Sequence, residues 1–176
     1  QMIAVPGATH LLATQGAQII KVENTSGGDD LRMYGSRKNN MSGWFANANA
    51  GKRSIGLDLS QDEAKEILWS FIKEADVFIE GFRPGAVARL GFSSKEALSL
   101  NPSLIYVSSS GFGSRGPYSG RPVYDPVIQA LSGWAGAQRN ESKPNLIRGM
   151  VADKVAALTT SQAITAALLA RSKTGK

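Results

Sequence analysis

Short runs rich in branched and aromatic residues alternate along this chain with stretches whose apolar positions recur at helical spacing. Residues 17–23 (AQIIKVE), 54–59 (SIGLDL), 76–80 (DVFIE) and 104–109 (LIYVSS) predict four strands. A helix begins near Pro6, a residue suited to a first helical turn, ahead of the first strand. Residues 24–42 are polar and predict a loop. Ser60 and Glu63 stand at capping-box spacing and predict the start of a helix that runs to Ala75. Its Ala64, Ile67, Leu68, Phe71, Ile72 and Ala75 form one apolar face, read as core rather than as a site. Pro84 opens a short helix that stops before Gly91, and Ser93 with Glu96 predicts a second capping box. Late in the chain, Val151-Ala152-Asp153-Lys154 opens a long apolar helix.

Strands separated by helices imply parallel pairing with right-handed crossovers. The expected architecture is α/β, a Rossmann-like parallel sheet with helices on both faces. At 176 residues, with 42% hydrophobic and 19% charged residues, the chain has the size and makeup of one globular domain. A net charge of +6 favours a phosphate-bearing or otherwise anionic partner. The basic residues are dispersed (Lys21, Arg32, Lys52, Arg53, Arg83, Arg89, Arg115, Arg121), so nucleic acid is not the expected partner. With no cysteine there are no disulfides and no thiolate chemistry, which fits a cytoplasmic protein, and no metal is expected. Residues 155–170 are apolar but carry Thr159, Thr160, Ser161, Gln162 and Thr165, so no membrane span is expected.

Ligands of open parallel sheets bind beyond the carboxyl ends of the strands. One such segment holds Gly111, Gly113 and Gly116 at the G-x-G-x-x-G spacing of a dinucleotide fingerprint. The fingerprint needs a helix to open at its glycines, whereas residues 117–122 continue as loop. Asp125 also comes too early for the ribose-binding acid expected roughly twenty residues on. NAD(P) is therefore not the expected ligand. Gly51-Lys52-Arg53-Ser54 has the look of a P-loop ending, but Arg53 separates Lys52 from Ser54 and Ala46 stands where a glycine is needed. Asp153 has two readings: an ordinary helix cap, or a carboxylate held by free N–H groups and the helix dipole for chemistry.

The segments after the strands, taken together, resemble one family, the class III CoA-transferases of the CaiB/BaiF group. Gly16-Ala17-Gln18-Ile19-Ile20-Lys21-Val22-Glu23 is similar to its G-A-x-V-I-K-V-E, and Gly27-Gly28-Asp29-Asp30-Leu31-Arg32 to its G-G-D-x-x-R. Residues 49–59 resemble N-x-x-K-R-S-I-x-L-D-L, and residues 76–91 resemble A-D-V-x-x-E-N-F-R-P-G followed by R-L-G. Residues 101–106 resemble N-P-x-L-I-Y, residues 111–118 resemble G-F-G-x-x-G-P-Y, and residues 171–175 resemble R-x-x-T-G. These strings stand in register across residues 4–175.

The resemblance implies a Rossmann-like CoA-binding domain over residues 1–176, with acyl-CoA and a carboxylic acid as substrates. Asp153 falls on the family's catalytic aspartate, which attacks the thioester to give an aspartyl-acyl anhydride and then an aspartyl-CoA thioester. Tyr124 matches a tyrosine by the active site of some members; packing next to Asp125 is its other reading. Lys52, Arg53, Phe82, Arg83 and Arg89 match positions along which CoA lies, against the alternative of solvated surface residues. The family forms interlocked dimers, so a homo-oligomer is expected.

Two positions depart from the family pattern: Val5 stands in its A-G-P string and Gly81 replaces the Asn of E-N-F-R-P-G. The histidine of the racemase branch is replaced by Tyr124, and the single histidine, His10, lies in the first helix with no expected role, which leaves acyl-CoA racemase as a second reading within the family. Members of the family are longer than this chain. The expectation is a truncated fragment without the first strand and the C-terminal domain, with a non-catalytic CoA-binding or oligomerisation module as the reading from another functional class.

Overall fold

The structure, a computed structural model, describes residues 2–39 and 41–175. The predicted strands form two parallel pairs. β1 (Ile20–Glu23) pairs with β4 (Arg53–Gly56) in the register Val22 to Ile55, and β5 (Val77–Glu80) pairs with β6 (Ile105–Ser108) in the register Ile79 to Val107. No ladder joins the two pairs among the described residues. A shared core does join them: Val22, Ile55, Phe78 and Tyr106 pack on a cluster containing Leu57, Leu68, Ile72, Phe92 and Leu104. Parallel strands covered by helices confirm the α/β expectation, with the sheet in two pieces.

The helix α3 (Asp62–Glu74) supplies Ala64, Leu68 and Ile72 to that core. Ile67, expected in the same face, sits at the border of the stripe and is 42% exposed. The capping box expected at Ser60 and Glu63 is absent: Gln61 occupies the N-cap without a side-chain bond. Ser60 is engaged elsewhere, its backbone N–H and hydroxyl both donating to Asp58 Oδ1 at 3.0 and 2.7 Å. That local turn competes with the cap and wins because both donors meet one carboxylate. The second box, Ser93 with Glu96, forms as expected at the start of α5 (Ser94–Leu100). Phe92 just before it is fully buried, lies 5.1 Å from Trp69 between ring centroids, and accepts the Tyr106 hydroxyl on its carbonyl.

Residues 24–42 hold more structure than the expected loop. A single 3-10 turn (Asp30–Met33) and a hairpin of β2 (Arg37–Lys38) with β3 (Met41–Ser42) lead into α2 (Gly43–Asn49); Asn40, within that loop, lies outside the described residues. Ser42 caps α2 by accepting the Phe45 N–H, and Phe45 and Ala48 close a small core over Leu31. The turn is pinned by buried charge. Glu23 accepts the Arg32 guanidinium through both oxygens at 2.9 Å, together with the Ser54 hydroxyl and the Asp29 N–H. Arg32 also lies over the Phe45 ring at 3.8 Å, and Asp29 accepts Lys21. Gly28, at φ 73°, passes so close that a Cβ would come within 2.7 Å of Glu23 Oε2.

Burial opposes ionisation of Glu23, but Arg32, Ser54 and the Asp29 amide outweigh it and hold the carboxyl at about 2. A folded pKa below the unfolded one stabilises fully above the ordinary value of 4.5 and stops doing so as pH falls toward 2. Urea unfolding across this range is expected to show that acid limb. Arg32→Ala is expected to cost about 2 kcal/mol near neutral pH, moderated by the partly exposed guanidinium, and to flatten the limb. An unchanged limb in the variant would remove the assignment.

The helix α1 (Ala4–Thr14) packs along α8 (Val151–Thr174), and Gly7 makes the approach possible: a Cβ there would stand 3.1 Å from Ala157 Cβ. His10 adds a tie in α1, its Nδ1 lying 3.1 Å from the Ala50 carbonyl. At the far end of α8, Arg171 reaches Ser103 O at 2.8 Å and Asp76 Oδ1 at 2.5 Å, just ahead of β6 and β5.

Candidate active site around Asp153

Asp153 is the third residue of α8, in its first turn rather than at its cap. The N-cap is Met150, held in the left-handed region (φ 54°, ψ 56°) without a side-chain bond, so the cap reading of Asp153 is corrected. Capping comes from another helix. Asp125 opens α6 (Asp125–Leu131), and its Oδ2 accepts the Asp153 backbone N–H at 2.9 Å. Burial, then the Asp125 charge, pushes the Asp153 carboxyl above its ordinary value. Among the described residues no hydrogen bond or ion pair engages this half-buried carboxylate, and a second acid lies next to it, an arrangement that makes Asp153 a candidate site residue.

Asp125 was not readable as a site residue, because 28 residues separate it from the amide it binds. Gln129 was missed in the same way. It is buried, donates to Asp125 Oδ1 at 2.5 Å and to Ile147 O at 3.0 Å, and accepts the Ile147 N–H at 2.8 Å. The sequence signal was an Asp and a Gln one helical turn apart. Tyr124, the residue before Asp125, is 72% exposed and makes no side-chain cap bond.

The other candidates fall into three places. Phe82 and Arg83 lie in the turn after β5, where Glu80 organises the backbone by accepting the Phe82 N–H at 2.8 Å. Arg89 ends the short helix α4 (Ala86–Arg89) and folds back over Gly85, so these three share one exposed segment. Arg53 is exposed at the first position of β4, at the amino end of that strand. Lys52 turns inward: its ammonium donates to Pro6 O, Ala48 O and Asn49 Oδ1 at 2.8–2.9 Å. Burial, and then repulsion from Lys21, lowers it to about 7. In this structure Lys52 joins α1 to α2, with three hydrogen bonds from its ammonium to protein oxygens. No helix opens at Gly111, Gly113 or Gly116, in agreement with the rejected dinucleotide fingerprint. Hollows along α5 and between α1 and α8 include none of the candidate residues.

A Cβ placed on Gly81 would come within 2.8 Å of Val5 Cγ2. The Val5 side chain thus takes room that a residue-81 side chain would need.

The family model for CoA-transferase family III matches residues 1–176. The chain belongs to that family. It is 40% identical over 173 residues to the acetyl-CoA:oxalate CoA-transferase of Acetobacter aceti, covering 97% of this chain and 44% of that protein. To the succinate–glutarate CoA-transferase of Agrobacterium fabrum it is 35% identical, covering 100% and 46%. The crystal structure of a CAIB/BAIF family protein from Brucella suis matches with a TM-score of 0.94 at 35% identity, over 100% of this chain and 48% of that one. The chain spans about half the length of the curated relatives it matches. No helix among the described residues is long and apolar enough to cross a membrane.

Proposed function

We propose that this chain carries the nucleophile of a CoA-transferase that moves CoA from an acyl-CoA to a carboxylic acid. The observation that carries the reading is the half-buried Asp153 carboxylate in the first turn of α8, its amide fixed by Asp125, in a chain of this family. An Asp153 oxygen attacks the thioester carbonyl, the C–S bond breaks, and CoA leaves as thiolate from an aspartyl-acyl anhydride. The thiolate then attacks the aspartyl carbonyl, releasing the donor acid and leaving an aspartyl-CoA thioester. An acceptor carboxylate attacks that carbonyl, displaces thiolate and forms a mixed anhydride, which the thiolate opens at the acceptor carbonyl to regenerate Asp153. Apart from the Asp153 N–H, which Asp125 holds, N–H groups at the start of α8 are the proposed donors for the developing oxyanions.

Arg53, Phe82, Arg83 and Arg89 are the proposed CoA contacts, because all four are exposed and three share one segment. Lys52, next to Arg53 in sequence, is proposed with them, with its ammonium joining α1 to α2. Tyr124 is the proposed partner of the acyl group, adjacent in sequence to the Asp125 that holds Asp153. The racemase reading is the weaker one, since Tyr124 stands at the position of that branch's histidine and His10, on α1, has its Nδ1 3.1 Å from the Ala50 carbonyl. Self-association is supported by the exposed Leu158 and Leu169 on α8, at 60% and 56%.

Calorimetry is expected to show CoA or acyl-CoA binding more tightly than NAD or ATP. Incubation with a panel of acyl-CoAs followed by intact-mass measurement is expected to show an acyl or CoA adduct on Asp153, and light scattering on the same sample a mass above the monomer. Binding of CoA without any adduct would favour the non-catalytic CoA-binding module. NAD binding with no CoA binding would remove the reading altogether.

A further inference from the structure

We propose that the buried pair Asp125 and Gln129 is a positioning clamp that sets the orientation of Asp153. The proposal rests on Asp153 being the nucleophile, but its geometry stands independently. Both residues are almost fully buried, at 5% and 2% exposure; one hydrogen bond joins their side chains, and their others go to Ile147, ahead of α8, and to the Asp153 N–H in its first turn. Gln129 grips Ile147 through both backbone groups, as a neighbouring strand would, at 2.8 and 3.0 Å. Its amide nitrogen also donates to Asp125 Oδ1, which fixes the carboxylate plane so that Oδ2 meets the Asp153 N–H. Between the two anchor points the chain passes through Gly149 at φ 98° and Met150 at φ 54°.

A non-glycine residue in the left-handed region is retained only where its surroundings over-determine it. Here the clamp does so on both sides, at Ile147 before the strained residue and at Asp153 after it. The first helical turn starts directly after Gly149 and Met150. Release of either anchor lets the backbone relax out of the left-handed region and turns the first residues of α8. The charge acting on Asp153 comes from Asp125 on α6; its neighbour Lys154 has its ammonium near Gly149. Asp125 reaches Asp153 through its backbone amide and its charge, and Gln129 acts only through Asp125 and Ile147, so the work assigned to the pair is to orient Asp153.

The test measures the rate of adduct formation from acyl-CoA, the CoA dissociation constant, the melting temperature and the exchange rate of the Asp153 amide for four proteins: wild type, Gln129→Ala, Asp125→Asn and Gln129→Glu. Gln129→Ala and Asp125→Asn are expected to slow the adduct at least tenfold and to speed amide exchange at least tenfold, with CoA affinity within threefold. Gln129→Glu carries the sharper signature. Ionised, its carboxylate faces that of Asp125 and the clamp opens; protonated, it again donates to Asp125 Oδ1. Its adduct rate relative to wild type at the same pH is therefore expected to rise from pH 8 to pH 5.5, a recovery that a residue merely filling space would not show. Wild-type adduct rates retained in both Gln129→Ala and Asp125→Asn would overturn the clamp. If the wild-type chain forms no adduct at all, the transfer reading falls, and the clamp stands or falls on whether the same variants release the Asp153 amide.

Discussion

Asp153→Asn is expected to abolish adduct formation, by about 10³-fold or more, while raising the melting temperature by a few degrees. The amide preserves the size of the side chain and leaves the bond from the residue 153 N–H to Asp125 in place, so CoA affinity should stay within a few-fold. It has no anionic oxygen with which to attack a thioester. The stability gain follows from the sign of the shift. Burial and Asp125 raise the folded carboxyl above its ordinary value, so ionised Asp153 opposes folding at neutral pH and a neutral side chain relieves that opposition. The same shift sets the pH profile: the adduct rate should fall on the acid side through a pKa above that of a free aspartate, because only the carboxylate attacks. A variant that melts lower and still forms adduct would identify Asp153 as a structural residue and the nucleophile as another group.

The second large effect is expected from Val5 and Gly81 taken as a pair. Gly81→Asn alone drives its Cβ into Val5 Cγ2, and valine in a helix has too little rotamer freedom to move aside, so a loss of about 1–2 kcal/mol is expected. Val5→Gly alone weakens the first turn of α1 by about 1 kcal/mol through backbone freedom and lost packing. Together they should cost less than the sum, with a coupling of about 1 kcal/mol or more in urea unfolding. Strictly additive costs would show that the two positions are not energetically coupled.

Elements whose signal is local were readable from sequence. The four strands stand out as short runs rich in branched apolar and aromatic residues, and Ser93 with Glu96 forms its box because no nearer carboxylate competes for the serine. Ser60 failed the same test because Asp58 lies two residues before it. α2 escaped notice because Gly43–Asn49 carries no charges to mark its solvent face, and only Ser42 and the pair Phe45 and Ala48 betray it. At the candidate site, the family strings single out Asp153 as a candidate, but its surroundings were not readable. Asp125 acts through a backbone amide far along the chain, and Lys52 looks like surface charge until its ammonium is seen to end on three protein oxygens. Interactions that depend on where the backbone passes leave no mark on side-chain pattern.

α8 is fastened at both ends, by Asp125 near its start and by Arg171 on Ser103 and Asp76 near its finish. From Asp153 to Arg171 the helix rises about 27 Å, so it works as a measuring rod laid from the amino ends of β5 and β6 toward the opposite side of the fold. A rod of this kind tolerates changes of substance but not of length. Exposed positions such as Leu158 and Leu169 can change identity without moving either fastening. Loss of one residue between them would turn Asp153 by about 100° relative to Arg171 and draw it back by about 1.5 Å, away from Asp125. Selection on such a helix therefore acts on its residue count, and insertions or deletions here should be far rarer among functional variants than substitutions.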